Sequence, residues 1–268
     1  MQTRFIASDG TPLRYGATGP EDGPVVVLCH GLGAAGRQFR DDAEHFAARG
    51  FRVLLPDLRG HGASGRPEPV TAAACAPERL EQDLAEMLDH AGAGRVHWVG
   101  NSLGGIIGLG LVAARPGRFA SLALFGTALA LNLPARTGVM LPLLDRVPGR
   151  ALAAAITARS TTRNRAARPL IAAMLARYDA ATAAGIVAHI CRYDRTAAAT
   201  GWTGPGLVLV GGADRAVNLA LRRQLPALAG RSNWRIVELP EGGHCANLDA
   251  TQAWRQALLA FWAESGPG

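Results

Sequence analysis

The feature that most constrains this chain is a set of short apolar runs, each of strand length and each bounded at one end by glycine or proline. They are Val25-Val-Val-Leu-Cys29, Arg52-Val-Leu-Leu55, Val96-His-Trp-Val99, Leu122-Ala-Leu-Phe125, Leu207-Val-Leu-Val210 and Trp234-Arg-Ile-Val-Glu-Leu239. Most are continuously apolar rather than alternating, as expected of strands covered on both faces of a parallel sheet. Helical patterns lie between them, over 37–48, 77–91, 103–115, 217–228 and 251–264. The one at 77 opens on Pro-Glu, and the one at 103 stops before Pro116, both good boundary signals. Strand–helix alternation means βαβ units, hence an α/β fold with a parallel sheet and right-handed crossovers. Residues 3–7 and 14–18 read as a hairpin around Asp9-Gly10.

One segment breaks the alternation. Between Phe125 and Leu207 no run reads as a strand, and Pro134, Pro142, Pro148 and Pro169 punctuate Ala- and Arg-rich helical patterns over 150–159, 165–178 and 180–193. A structureless connection of that length is exceptional in a compact domain. The spacing therefore predicts a core domain over 1–127 and 201–268, with a helical cap over 128–200.

The net charge of +7 comes from 28 basic residues, all arginine, against 21 acidic ones. Residues 128–200 hold ten Arg and three Asp, which accounts for all of it. There is no dense basic run and no zinc-finger, RRM or basic-zipper pattern, so nucleic acid is not an expected partner. Cys29, Cys75, Cys191 and Cys245 form no C-x-x-C pair, and four cysteines in 268 residues do not make a disulfide scaffold. Asp9 and Gly10 interrupt the place where a secretory leader would be apolar. The longest uncharged apolar stretch, 119–135, contains Gly126, Asn132 and Pro134 and is too short to span a bilayer. A cytoplasmic protein with no membrane segment, metal or cofactor is expected, as a monomer or homodimer.

In an open parallel sheet, ligands bind beyond the carboxyl ends of the strands. The reactive side chains follow the strands there. Gly100-Asn101-Ser102-Leu103-Gly104-Gly105 sits between a predicted strand and a predicted helix, the context in which G-x-S-x-G carries a nucleophile. Such a turn is strained, and residues two before and two after the serine approach so closely that only glycine fits. The turn lifts the Ser102 hydroxyl clear at the positive end of the helix. His244, after Glu241-Gly-Gly243 and the last strand, is the candidate base, because a serine hydroxyl needs a neutral imidazole to take its proton. Asp214, in Gly211-Gly-Ala-Asp214, is the candidate orienting acid, although an aspartate there also suits a helix N-cap. In His30-Gly31-Leu32-Gly33, the Leu32 N–H would join that of Leu103 in an oxyanion hole. His30, Gly31 and Asn101 are expected beside the substrate. Asp57-Leu-Arg-Gly-His-Gly-Ala-Ser64 reads as a braced turn.

Together these motifs, in the chain order Ser…Asp…His, resemble the α/β-hydrolase superfamily over nearly the whole chain, from Val25 to about Phe261. The resemblance implies a mostly parallel eight-stranded sheet flanked by helices, a helical cap after strand six, and a Ser102–His244–Asp214 triad. The haloalkane dehalogenase and epoxide hydrolase branches carry Asp at the elbow, where this chain has Ser102. The size of the cap and the run His244-Cys-Ala-Asn247-Leu-Asp resemble small esterases and 3-oxoadipate enol-lactonases. Gly100-Asn-Ser-Leu-Gly-Gly105 also resembles the meta-cleavage C–C hydrolases, which usually carry an aromatic where Cys245 stands. The resemblance thus implies a serine hydrolase acting on a small ester or lactone, with C–C bond hydrolysis or a ligand sensor without turnover as alternatives. An anionic substrate would follow if one or two of Arg136, Arg146, Arg192 and Arg195 faced the pocket; otherwise they coat exposed helices, as arginines mostly do.

Overall fold

The computed structural model describes residues 2–134 and 149–265. The chain opens with an antiparallel hairpin, β1 (Gln2–Ile6) and β2 (Pro12–Thr18). β3 (Val25–Cys29), α1 (Arg40–Ala47), β4 (Arg52–Asp57), α2 (Pro77–His90), β5 (Val96–Asn101), α3 (Leu103–Ala114) and β6 (Phe119–Phe125) then alternate as the pattern predicts. After an insertion, β9 (Gly206–Gly211), α8 (Arg215–Gln224), α9 (Pro226–Ala229), β10 (Trp234–Leu239), α10 (Ala246–Asp249) and α11 (Thr251–Ser265) complete the chain. The eight strands form one sheet in the order β1-β2-β4-β3-β5-β6-β9-β10, with β2 antiparallel to both neighbours and every pairing from β4 to β10 parallel.

Burial on both faces explains the continuous apolar runs. All five residues of β3 are buried. On one face α2 and α3 pack through Leu80, Leu84, Ile107 and Leu111. On the other, α1 and α11 supply Phe46, Trp254, Leu258 and Trp262. Among the described residues no single helix is long and apolar enough to cross a membrane.

The insertion between β6 and β9 contains β7 (Ala130–Asn132), α4 (Arg150–Thr161), α5 (Arg168–Leu175), α6 (Ala180–Ile190), β8 (Arg192–Asp194) and α7 (Thr196–Gly201). The expectation of no strand here needs correcting, because β7 and β8 pair antiparallel with Leu131 opposite Tyr193. Three residues per strand give too little periodicity to read. α5 is shorter than the 165–178 pattern and begins one residue before Pro169, which fits only the first turn of a helix. Likewise Pro226 divides the expected 217–228 helix into α8 and α9.

The turn after β4 is fastened by charge. Arg59 is fully buried; its Nε and Nη2 donate to Asp83 at 2.6 and 2.7 Å, and Nη2 reaches Asp9 at 2.9 Å. Removing one member of a buried pair leaves the other charge without compensation. Arg59→Met is therefore expected to lower stability by about 3 kcal/mol, the low end of such losses because Arg79 still holds Asp83. Urea unfolding checks this; an unchanged midpoint would contradict it.

Candidate active site

The central turn joins β5 to α3. Ser102 has φ 53° and ψ −115°, and it is the one non-glycine residue with positive φ among the described residues. The surroundings hold that strained conformation. The Ser102 N–H donates to Phe125 O at 3.0 Å, and Thr127 Oγ1 donates to Ser102 O at 3.1 Å. A Cβ on Gly100 would stand 2.4 Å from Gly104 O, and one on Gly104 would stand 2.3 Å from Cys29 O. The two glycines of the motif are thus required by close approach within the turn and against β3. Leu103 opens α3, so its N–H has no acceptor within the helix and lies at the positive helix end.

Asp214 and His244 come from the loops after β9 and β10. The His244 Nδ1 stands 2.9 Å from Asp214 Oδ2. Asp214 is 6% exposed and also N-caps α8, its Oδ1 accepting from the Val217 N–H at 3.4 Å. The cap and the imidazole contact, which read as alternatives in the sequence, coexist on different oxygens of one carboxylate. The loop of His244 is anchored from below, where Asn101 Nδ2 donates to His244 O at 3.0 Å.

Ser102 and His244 line a single cavity of about 200 Å³ together with Gly31, Leu32, Gly33, Ala34, Gln38 and Asn101. Thr157, Thr161, Ile171, Met174 and Leu175 of the insertion supply the facing wall. Gly31 approaches the serine closely, since a Cβ there would lie 3.0 Å from Ser102 Cβ.

One expected substrate contact, His30, is corrected. The His30 ring is fully buried: its Nδ1 lies 2.7 Å from Gly31 O and its Nε2 accepts from the Leu58 N–H at 3.1 Å. With both nitrogens used, it braces the loop from beneath and does not line the cavity. Asn101 does line it, but its amide is spent inside the protein, on His244 O, on Phe125 O at 3.3 Å and on Gln38.

The arginines are also placed. Arg195 reaches Glu81 on α2 at 2.6 Å and Glu78 at 3.4 Å, and exposed Arg192 donates to Asn132 Oδ1 at 3.1 Å. Burial lifts the Glu81 carboxyl to about 7, against the pull of Arg195. Neither arginine enters the cavity, and no arginine lines it among the described residues. Arg136 and Arg146 lie outside the described residues.

Sequence reasoning missed Asp249. Its Oδ2 accepts from the Gly243 N–H at 2.8 Å, while Oδ1 takes the N–H groups of Arg163 and Asn164 and the Thr162 hydroxyl. It therefore ties the histidine loop to the insertion. The run after His244 contained it, but nothing in that run shows which distant amides it would meet.

Burial keeps several imidazoles neutral. His30, His61 and His97 are each pushed down to about 4 by desolvation, with His30 adding repulsion at His61. Once unfolded, each takes a proton below the ordinary value of 6.5. The stabilisation is therefore whole above that pH and is lost as pH falls towards 4, by as much as about 3 kcal/mol per fully buried ring. Thermal melts across this window are expected to show a steep fall in Tm; a flat profile would contradict it.

Residues 20–250 match the family model described as serine aminopeptidase, S33. The chain is 34% identical over 139 residues to epoxide hydrolase A of Mycobacterium tuberculosis, covering 52% of this chain and 41% of that one. It is 36% identical over 113 residues to a putative carbamate hydrolase RutD of Variovorax paradoxus, covering 42% and 41%. These matches span about two fifths of the length of the curated relatives. Solved structures match end to end. A hydrolase from Pseudomonas aeruginosa superposes with TM-score 0.85 at 28% identity, covering 97% of both chains. The enol-lactonase from Burkholderia xenovorans superposes with TM-score 0.84 at 25% identity, covering 97% of this chain and 99% of that one. The chain belongs to the serine aminopeptidase S33 family of α/β-hydrolases.

Proposed function

We propose that this hydrolase cleaves a small carboxylic ester or lactone through an acyl-enzyme on Ser102. The observation that carries the reading is the 2.9 Å contact between His244 Nδ1 and Asp214, made by a ring that lines one cavity with a serine held at φ 53°. With Nδ1 committed to the carboxylate, Nε2 is the nitrogen left to act as base. Ser102 Oγ attacks the carbonyl carbon while His244 takes its proton. The carbonyl oxygen becomes an oxyanion between the N–H groups of Leu32 and Leu103. Collapse breaks the acyl–oxygen bond, and His244 gives its proton to the departing alcohol. Water then attacks the acyl-enzyme by the same route and releases the acid.

Serine favours this chemistry over epoxide opening. A serine that opened an epoxide would end as an ether, which water does not cleave under these conditions, whereas an acyl-serine is an ester and turns over. The walls favour a neutral acyl group of modest size, being mostly apolar with no arginine among the described residues. The insertion acts as the cap, because α4 and α5 supply the wall facing Ser102. C–C bond hydrolysis is the second reading; a relative named 2-hydroxy-6-oxononadienedioate/2-hydroxy-6-oxononatrienedioate hydrolase, from Burkholderia vietnamiensis, is 34% identical over 126 residues.

A panel of p-nitrophenyl esters, small lactones and vinylogous diketones tests the choice. Steady release from esters or lactones, with no cleavage of diketones, supports the proposal. Turnover of diketones alone contradicts it.

A further inference from the structure

Two cavities share a wall at α5. One holds Ser102 and His244 and encloses about 200 Å³. The other encloses about 210 Å³, and its lining includes Ala35, Arg37, Asp57, Ala63 and Arg177. Met174 is the one residue that lines both. It is 3% exposed and belongs to a buried cluster with Ala35, Ala158, Ile171 and Cys245. The loop after β3 presents Ala34 to the first cavity and Ala35 to the second, two methyl groups that fill little of the boundary. α5 lies close on that loop, since a Cβ on Gly33 would stand 2.8 Å from Leu175 Cδ2. The side chain between the cavities is thus a single unbranched thioether, the kind that fills irregular gaps and tolerates substitution. The second cavity also differs in chemistry. Arg37 and Arg177 make no ion pair or side-chain hydrogen bond among the described residues. Asp57 is already satisfied, its Oδ1 accepting from the Gly36 N–H at 2.7 Å and its Oδ2 from the Ala63 N–H at 2.8 Å.

We infer that Met174 is a specificity-determining residue: it closes the Ser102 cavity against the second one and so restricts the enzyme to short-chain substrates. This deepens the ester and lactone reading and rests on it. The closed cavity lies below the roughly 300–1,000 Å³ of ordinary ligand pockets. Removing the thioether joins it to a space of similar size and about doubles the room. A chain that passes the position of Met174 ends among Arg37 and Arg177, which bind a carboxylate better than a methyl group. The opened enzyme therefore gains long chains, and among them prefers those that end in a carboxylate.

The test measures chain-length profiles as ratios of kcat/KM, in which the fraction of active protein cancels. p-Nitrophenyl esters from acetate to octanoate lengthen the acyl side, and alkyl acetates from methyl to octyl lengthen the alcohol side. In wild-type protein the ratio of eight-carbon to two-carbon acyl probe, or of octyl to methyl acetate, is expected to lie about tenfold or more below one. Met174→Ala, with Met174→Val as the milder change, is expected to raise that ratio by about tenfold. In Met174→Ala the longest probe of that series is expected to react about threefold faster when it ends in a carboxylate, as in the p-nitrophenyl monoester of octanedioate or in 8-acetoxyoctanoate. Adding Arg37→Gln and Arg177→Gln is expected to remove this preference. Wild-type protein that takes the longest probes of both series as well as the shortest overturns the proposal, even if neither Met174 variant folds. So do profiles that the Met174 variants leave unchanged, and so does a gain in length without an arginine-dependent carboxylate preference. Octanoate and octanedioate are also titrated by calorimetry, which needs no turnover. Protein that cleaves no ester, yet binds both acids about tenfold more tightly after Met174→Ala, contradicts the hydrolytic reading and supports the partition.

Discussion

Ser102→Ala is expected to lower kcat for p-nitrophenyl acetate by about 10⁴-fold to 10⁶-fold, to the residual rate that the oxyanion amides and binding alone supply. The substitution removes the single atom to which the acyl group would attach. It leaves the walls, the histidine loop and the amide donors in place. The backbone demand at this position points the same way. Ser102 sits at positive φ, where glycine is the easier residue, and a side chain in such a turn costs on the order of 1–3 kcal/mol. Alanine pays the same backbone cost, so the melting temperature is expected to change little. Stopped-flow and steady-state rates on the two proteins check this. A variant that retains a tenth of the wild-type rate would show that another group is the nucleophile.

Asp214→Asn separates the architectural from the chemical use of one carboxylate. Asparagine is as good an N-cap as aspartate, so α8 keeps its first-turn bond to Val217. The amide cannot reproduce the other contact. A carboxylate Oδ2 accepts from the His244 Nδ1–H and stabilises the imidazolium, whereas an amide supplies no charge and selects the wrong tautomer when its NH₂ faces the ring. A loss of about 10⁴-fold in kcat is expected, with Tm nearly unchanged. Equal losses of activity and stability would reduce Asp214 to a helix cap. Retained activity would remove it from the reaction.

These expectations rest on features that were legible to very different degrees. The elbow is readable because its constraint is local: Gly100 and Gly104 flank Ser102, and the clash they avoid lies within five residues and the neighbouring strand. Asp214 and His244 are readable because the parallel sheet delivers each loop to the same edge, so position after a strand stands in for position in space. His30 shows where that shortcut ends. It follows a strand beside the site, yet its ring is turned beneath the loop to meet Leu58, which only the fold reveals. The amide chain through Gln38 and Asn247 joins residues 209 apart in sequence, and no composition or spacing signals such a pairing. Arg195 was ambiguous for a related reason. Its direction is decided by Glu81, a buried carboxylate on a helix more than a hundred residues earlier.

The proposed reaction requires a covalent bond to one oxygen, Ser102 Oγ. A fluorophosphonate added to wild-type protein, followed by intact-mass measurement and peptide mapping, reads that bond directly. One adduct per chain on Ser102, formed rapidly in the wild type and greatly slowed in both Asp214→Asn and His244→Ala, is the predicted result. Labelling at any other residue, or labelling of Ser102 at the same rate in all three proteins, would contradict it.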